Sequence, residues 1–362
     1  MIKDNIRLNG WQSWSSCGKL PRIRIPVNRY SPFGEKEVSV DSSKGGSLKP
    51  LATGWCSWYA FGVDIDEEKI VSQAKWIAEN RKVAPLEYVL VDDGWAQWGD
   101  WLSSDKIKFP RGMKFVAQEI KNLGLKPGLW IAPFLVDPRS LLIKEHSNYL
   151  VRDRRGRLVD GRKVFKFGTP FFERFILDIR NPEAKRYLER VFEVLINDWG
   201  FEMLKLDFLY AQHFNPEYDG SRIPDSLFGE FLANIKNLYP QVYTIACGCP
   251  LKPAVGKVDA MRISADIIFP QLRNVPFINH WLHSRQLSQL EVNLEYRFST
   301  RVFWNLDPDV FVCEKSTGFT RKQVYELLKL IKKARGLKFL GDDLTNLSKE
   351  QIDSFIIPLF KD

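Results

Sequence analysis

Leu86-Glu87-Tyr88-Val89-Leu90-Val91 reads as an apolar strand, and Asp92-Asp93-Gly94 closes it. The same design recurs along the chain. Leu125 to Ile131 runs into Ala132-Pro133, Met203 to Leu206 into Asp207, Val242 to Ala246 into Cys247, and Ala260 to Ile263 into Ser264. Helical patterns separate these strands at Asp66 to Glu79, Met113 to Asn122, Pro182 to Asn197 and Ser226 to Asn237, and a later one covers Arg321 to Ala334. Asp66 has the character of an N-cap, and Pro182 that of a first-turn proline. Strands apolar on both faces with helices between them specify a buried parallel sheet.

Polar and aromatic residues gather at the C-terminal ends of these strands, where a (β/α)8 barrel carries its active site. The predicted fold is therefore α/β, a (β/α)8 TIM barrel with a reduced N-terminal segment and a short C-terminal extension. Residues 1–50 form the reduced segment and linker, 51–320 the barrel, and 321–362 a C-terminal helix and extension. A doubly wound sheet ranks below it, because no GxGxxG loop follows the first strand. Tyr149 to Asp178 decorates the loop after the third strand, with a basic hairpin around Gly156 and a strand-like Phe175 to Ile179. Between Phe269 and Asn305 no clear strand pattern stands out, so the seventh and eighth strands remain unplaced.

Composition excludes several classes. The 362 residues are 44% hydrophobic and 13% aromatic, enough for one large core. No apolar run reaches the roughly 18 residues that span a bilayer, and the N-terminus lacks a signal-peptide core. The expectation is a soluble, cytoplasmic protein with no membrane partner. The net charge of +9 is scattered apart from a cluster at Arg152, Arg154, Arg155, Arg157, Arg162 and Lys163, and no nucleic-acid motif accompanies it. Nucleic acid is not an expected partner. Five cysteines, an odd number in a chain this long, argue against a disulfide framework. Cys247-Gly248-Cys249 stands without a second pair, and the four histidines lack ligand spacing, so neither a metal nor a cofactor is expected.

The chemistry is carried by carboxylates. Lys205 and Asp207 alternate with Leu206 and point to the same side of a strand, so Lys205 is the expected partner that keeps Asp207 ionised. Arg262 and Asp266 repeat the pairing of cation and carboxylate about two strands later. Two such aspartates suit a nucleophile and an acid, although strand-end pairs also serve as rim salt bridges. An acid needs a raised pKa, which direct pairing with Arg262 would oppose. Arg262 is therefore expected to hold a substrate hydroxyl or to orient the carboxylate. Asp92 and Asp93 have nothing basic beside them in sequence and suit sugar hydroxyls; a metal-binding or capping pair is the alternative. Of twelve tryptophans, Trp55, Trp58, Trp95, Trp98, Trp101 and Trp130 sit at strand ends or in loops, where indoles can stack on sugar rings.

In order along the chain, these motifs resemble the α-galactosidases of glycoside hydrolase family 36. The matching segments are Thr53-Gly-Trp-Cys-Ser-Trp-Tyr59, Val91-Asp-Asp93, Gly99-Asp-Trp101, Pro127-Gly-Leu-Trp-Ile-Ala-Pro133, Lys205-Leu-Asp-Phe-Leu209, Cys247-Gly248, Pro250 to Val255, Val258-Asp-Ala-Met-Arg262 with Asp266, and Trp304-Asn-Leu-Asp-Pro-Asp309. The resemblance implies that Asp207 is the nucleophile and Asp266 the general acid/base. It implies that Asp92 and Asp93 hold galactose O4 and O6, and that Lys205 and Arg262 bind hydroxyls. Trp58 and Trp130 match walls of the pocket, and Cys247 and Gly248 lie near the sugar C2. Asn9-Gly-Trp-Gln-Ser-Trp14 resembles part of the family's N-terminal β-sandwich, so Trp14 is a further candidate at the pocket. The reduced N-terminal segment leaves a barrel flank that hints at a homo-oligomer.

The function this implies is a retaining, exo-acting α-galactosidase acting on an α-galactoside substrate by double displacement, with carboxyl groups about 5–5.5 Å apart. An α-galactosyl transferase of the raffinose-synthase kind uses the same residues with a sugar acceptor. A non-catalytic sugar-binding barrel is the reading from another class, and the presence of both Asp207 and Asp266 speaks against it.

Overall fold

A computed structural model describes residues 22–26, 37–41, 48–161, 173–212, 225–268 and 276–361. Its centre is a sheet of nine short parallel strands. Seven follow one another around it: Lys338–Leu340, Thr53–Cys56, Tyr88–Val91, Lys126–Ile131, Met203–Leu206, Tyr243–Ala246 and Ala260–Arg262. The remaining two are consecutive in sequence yet lie at opposite ends of the sheet. Asn305–Asp307 pairs with Ala260–Arg262, and Val310–Phe311 pairs with Lys338–Leu340. Only Pro308 and Asp309 separate them, so the two ends of the sheet must meet within a few residues' reach. The result is a (β/α)8 barrel-like ring in which an interrupted strand, residues 305–311, joins the ends.

Helices form where the periodicity puts them. Asp66 caps Glu67–Glu79, its carboxylate accepting from the Lys69 N–H at 2.8 Å. Pro182 occupies the first turn of Pro182–Glu193 beneath an Asn181 cap. That helix then widens to π geometry over Val194–Asp198, which absorbs the rest of the expected length. Met113–Asn122 and Arg321–Ala334 match their expected bounds, the latter closed by a Thr320/Gln323 capping box.

The segments the sequence left unplaced are short. The strands at 305–307, 310–311 and 338–340 have two or three residues each, too few for a pattern. The sheet thus extends past residue 320, since Lys338–Leu340 pairs with Thr53–Cys56. After the third barrel strand, Leu135–Val136 pairs antiparallel with Phe175–Ile176, and a turn around Gly156 bridges Arg152 to Leu158. Its arginines, Arg152, Arg154, Arg155 and Arg157, are exposed. An antiparallel pair, Arg22–Pro26 with Glu37–Asp41, lies in the N-terminal region.

Most of the strand-end tryptophans are core. Trp55, Trp95 and Trp101 are fully buried, with the Trp55 ring N–H donating to the Asp342 carbonyl at 2.7 Å and that of Trp95 to the Trp130 carbonyl at 2.9 Å. Where the last strand meets the first, Gly54 leaves no room for a side chain. A Cβ there would stand 2.5 Å from the Phe339 ring and 2.8 Å from the Tyr88 carbonyl oxygen. Gly54→Ala should lower stability by about 1–3 kcal/mol through overpacking. Denaturant melts of both proteins check this, and an unchanged midpoint would show that the seam can expand.

Candidate active site

Because the barrel strands are parallel, their C-terminal ends share one rim, and the following residues converge there. Asp207 follows Met203–Leu206, Asp92 and Asp93 follow Tyr88–Val91, Cys247 follows Tyr243–Ala246, and Arg262 ends Ala260–Arg262.

Lys205 makes its close contact with Asp92 and acts on Asp207 only at longer range. Its ammonium lies 2.7 Å from Asp92 Oδ2, and both side chains are buried. Burial works most strongly against its charge, but Asp92 together with the Cys56 and Cys247 sulfurs holds the Lys205 pKa well up. Asp92 also accepts from the Cys56 thiol at 3.3 Å, and its backbone N–H donates to Ser57 Oγ at 2.9 Å. The cation missing beside Asp92 in sequence thus comes from two strands away.

Asp93 faces a different partner, the Trp98 ring N–H at 2.7 Å. Burial pushes its pKa up to about 7, with the Trp98 hydrogen bond pulling the other way and the Asp92 charge adding to the rise. Trp98 packs edge-tilted on Trp130 at 5.2 Å between centroids and carries the Arg174 guanidinium 4.5 Å above its ring. This indole orients a carboxylate.

Asp207 is half-buried. Its Oδ2 accepts from the Trp130 ring N–H at 3.0 Å, and its Oδ1 from the Phe208 N–H at 2.7 Å. Burial raises its pKa; Lys205 and the Trp130 N–H oppose that rise, and Asp266 lies near enough for its charge to add to it. Trp130 is only 2% exposed and reaches the site through its N–H. Trp58 is half-buried at the end of the first barrel strand. Phe208 has a left-handed backbone, φ 52°, which turns the chain sharply after Asp207. That turn is clamped to the next: the Leu209 N–H donates to the Cys247 carbonyl at 3.3 Å, and the Tyr210 N–H to that of Gly248 at 2.6 Å. Gly248 is required there, since its φ is +52° and a Cβ would meet the Tyr210 ring at 2.5 Å. Burial pushes the Cys247 thiol well up, and the Asp207 charge adds to that.

Arg262 does pair with Asp266, at 3.1 Å, but not alone. Its Nη2 is 2.5 Å from Asp309 Oδ2 and donates to the Tyr59 hydroxyl at 3.1 Å, while Nη1 lies 3.6 Å from Asp307. Tyr59 in turn donates to Asp309 at 2.6 Å, and the Ile267 N–H donates to the same oxygen at 2.7 Å. The other oxygen of Asp309, Oδ1, is buried without a hydrogen-bond partner among the described residues. Tyr59, Asp307 and Asp309 were given no role from sequence. The signal was the Asp-Pro-Asp step after Trp304, which reads as a strand end once Pro308 is taken as an interruption. Trp14 lies outside the described residues.

A model of the melibiase family matches residues 48–222. AgaA, an α-galactosidase of Geobacillus stearothermophilus, is 36% identical over 101 residues, covering 26% of this chain and 13% of AgaA. Mel36A of Lactobacillus acidophilus, also an α-galactosidase, is 31% identical over 148 residues, covering 39% and 18% respectively. The fold superposes on TtGalA, an α-galactosidase from Thermus thermophilus solved with p-nitrophenyl α-D-galactopyranoside. The TM-score is 0.71 at 25% identity, over 87% of this chain and 63% of that one. The family model and these relatives support placing the chain in glycoside hydrolase family 36. Its match takes in less than two thirds of the length of each of these relatives. No helix among the described residues is long and apolar enough to cross a membrane.

Two predictions follow from this rim. Lys205→Met leaves Asp92 buried and unpaired and should destabilise by about 3–5 kcal/mol, whereas adding Asp92→Leu should return most of that. A double-mutant cycle in urea measures it, and a fully additive cycle would deny the coupling. Asp93 carries a folded pKa of about 7, above its unfolded value. The folded state therefore binds more protons in between, and wild-type stability falls as pH rises through that window. Asp93→Asn lacks this loss and should gain on wild type from pH 4 to 8, by ~1.4 kcal/mol per unit of pKa difference. Melts at both pH values decide it; a constant gap would mean that Asp93 ionises without penalty.

Proposed function

We propose that this chain carries the catalytic barrel of a retaining, exo-acting α-galactosidase that hydrolyses terminal α-D-galactosyl residues by double displacement. The reading is supported above all by the meeting of Asp207 and Asp266 at one barrel mouth, near enough to sense each other's charge. Relatives described as α-galactosidases, one of them solved with stachyose, support galactose as the sugar.

Asp207 is the nucleophile. Its two N–H donors, from Trp130 and Phe208, fix the carboxylate plane, and an oxygen attacks the anomeric carbon as the glycosidic bond breaks. Asp266, the more open of the two with 44% of its side chain exposed, protonates the departing oxygen. It then takes a proton from the water that releases the sugar, restoring both carboxyl groups. Asp92 and Asp93 hold the galactose O4 and O6 hydroxyls; their separate partners, Lys205 and Trp98, allow two adjacent carboxyl groups to coexist. Lys205 and Arg262 supply cationic donors, Trp58 and Trp130 the walls, and Cys247 and Gly248 the turn beside C2.

An aryl α-galactoside assayed with wild type, Asp207→Gly and Asp266→Ala tests this. Each variant should lose at least ~10²–10⁴-fold in rate. Azide should rescue Asp207→Gly and give a β-galactosyl azide, the product of a single inversion. Near-normal turnover by Asp207→Gly would end the nucleophile assignment. Cleavage of another α-glycoside but not α-galactosides would end the O4/O6 assignment and leave the mechanism standing.

A further inference from the structure

The acid assigned to Asp266 sits 3.1 Å from a guanidinium, and a cation at that distance favours the carboxylate over the acid. The surroundings of Arg262 resolve the conflict. Asp309 is closer, at 2.5 Å, and its side chain is only 1% exposed, whereas that of Asp266 is 44% exposed. Attraction grows as distance and effective dielectric fall, so the guanidinium is committed chiefly to Asp309. Tyr59 reinforces the arrangement by donating to Asp309 at 2.6 Å and accepting from Arg262 at 3.1 Å. The same Asp309 oxygen accepts the Ile267 N–H, one residue beyond Asp266, at 2.7 Å, and Gln286 Nε2 donates to the Asp266 carbonyl at 2.9 Å.

We propose that Asp309 is a positioning residue for the general acid, holding the Asp266 loop in place and taking up the Arg262 charge that would otherwise fix Asp266 as a carboxylate. The assignment of Asp266 as the acid rests on the function proposed above; the division of the Arg262 charge does not. Among the described residues, the charged or titratable groups facing Asp266 come from four elements: Arg262 on its own strand, Tyr59, Asp309 and Asp207. Asp307 acts at one remove, through Arg262 at 3.6 Å. Among the described residues, Asp309 competes most closely for the cation and also bonds the N–H next to the acid.

The test compares wild type, Asp309→Asn and Asp309→Glu on two substrates, with infrared detection of the protonated Asp266 carboxyl by difference from Asp266→Asn. In Asp309→Asn the infrared band should vanish at a pH about one unit lower, a tenfold change in proton affinity. The alkaline limb of kcat/KM should move with it. The rate loss should be about tenfold or more on an alkyl α-galactoside, whose leaving group needs the proton. It should be several-fold smaller on a p-nitrophenyl α-galactoside, which departs unaided. Asp309→Glu keeps the charge and should keep the wild-type limb even if kcat falls. Equal losses on both substrates with an unmoved band and limb would reduce Asp309 to a structural residue. If Asp309→Asn does not fold, Asp307→Asn removes the more distant charge and must move the band the same way by less; an unmoved band there also overturns the proposal. The infrared reading needs no turnover. A shifted band in a protein inactive on α-galactosides would sink the proposed activity and leave the charge division intact.

Discussion

The ion pair between Lys205 and Asp92 is the constraint on which the rest of the barrel mouth depends. Each side chain is buried, and either charge left alone there would cost several kcal/mol. Together they bind the second barrel strand to the fourth across the intervening Lys126–Ile131. The pair also settles what its neighbours can be. With Asp92 neutralised, the adjacent Asp93 escapes the full repulsion of a second bare anion and is held by an indole N–H instead. With Lys205 engaged, Asp207 meets a cation only at longer range, and its burial goes partly uncompensated.

The tryptophans take part in this arrangement in a way composition does not reveal. A high tryptophan count beside carboxylates reads as a set of sugar-stacking platforms, yet Trp55, Trp95 and Trp101 are interior. Trp98 and Trp130 are buried too, and each spends its single polar atom on a carboxylate, Asp93 and Asp207 respectively. An indole suits this task because it donates one hydrogen bond without adding charge, and its large apolar body fixes the donor's direction. Aromatic packing and carboxylate orientation are one device here.

How much of this was legible depended on length and sequence separation. Met203–Leu206 and Met113–Asn122 were readable because four or more residues of consistent polarity define a strand, and two turns or more define a helix. The strand interrupted at Pro308-Asp309 was not. Its halves have three and two residues, proline withholds an N–H, and Asp309 has a left-handed backbone, φ 83°. Missing that strand hid the third carboxylate cluster, whose link to Tyr59 spans 250 residues of sequence. The closest partner of Lys205 was hidden for a related reason. Alternation along one strand says which side chains share a face, but it says nothing of which neighbour on the next strand lies closer.

The two cations of the mouth are used unequally, and that inequality separates the two central carboxyl groups. Lys205 meets one carboxylate, Asp92, within bonding distance. Arg262 meets three, Asp266, Asp307 and Asp309, so its side is short of positive charge. Arg262 thus divides its charge among three carboxyl groups, whereas Lys205 gives its close contact to Asp92. The double displacement proposed for this mouth needs two carboxyl groups in different states, an anion to attack and an acid to release. Asp207 is held by two N–H donors and meets Lys205 only at longer range, whereas Asp266 touches a guanidinium that the buried Asp309 holds more closely.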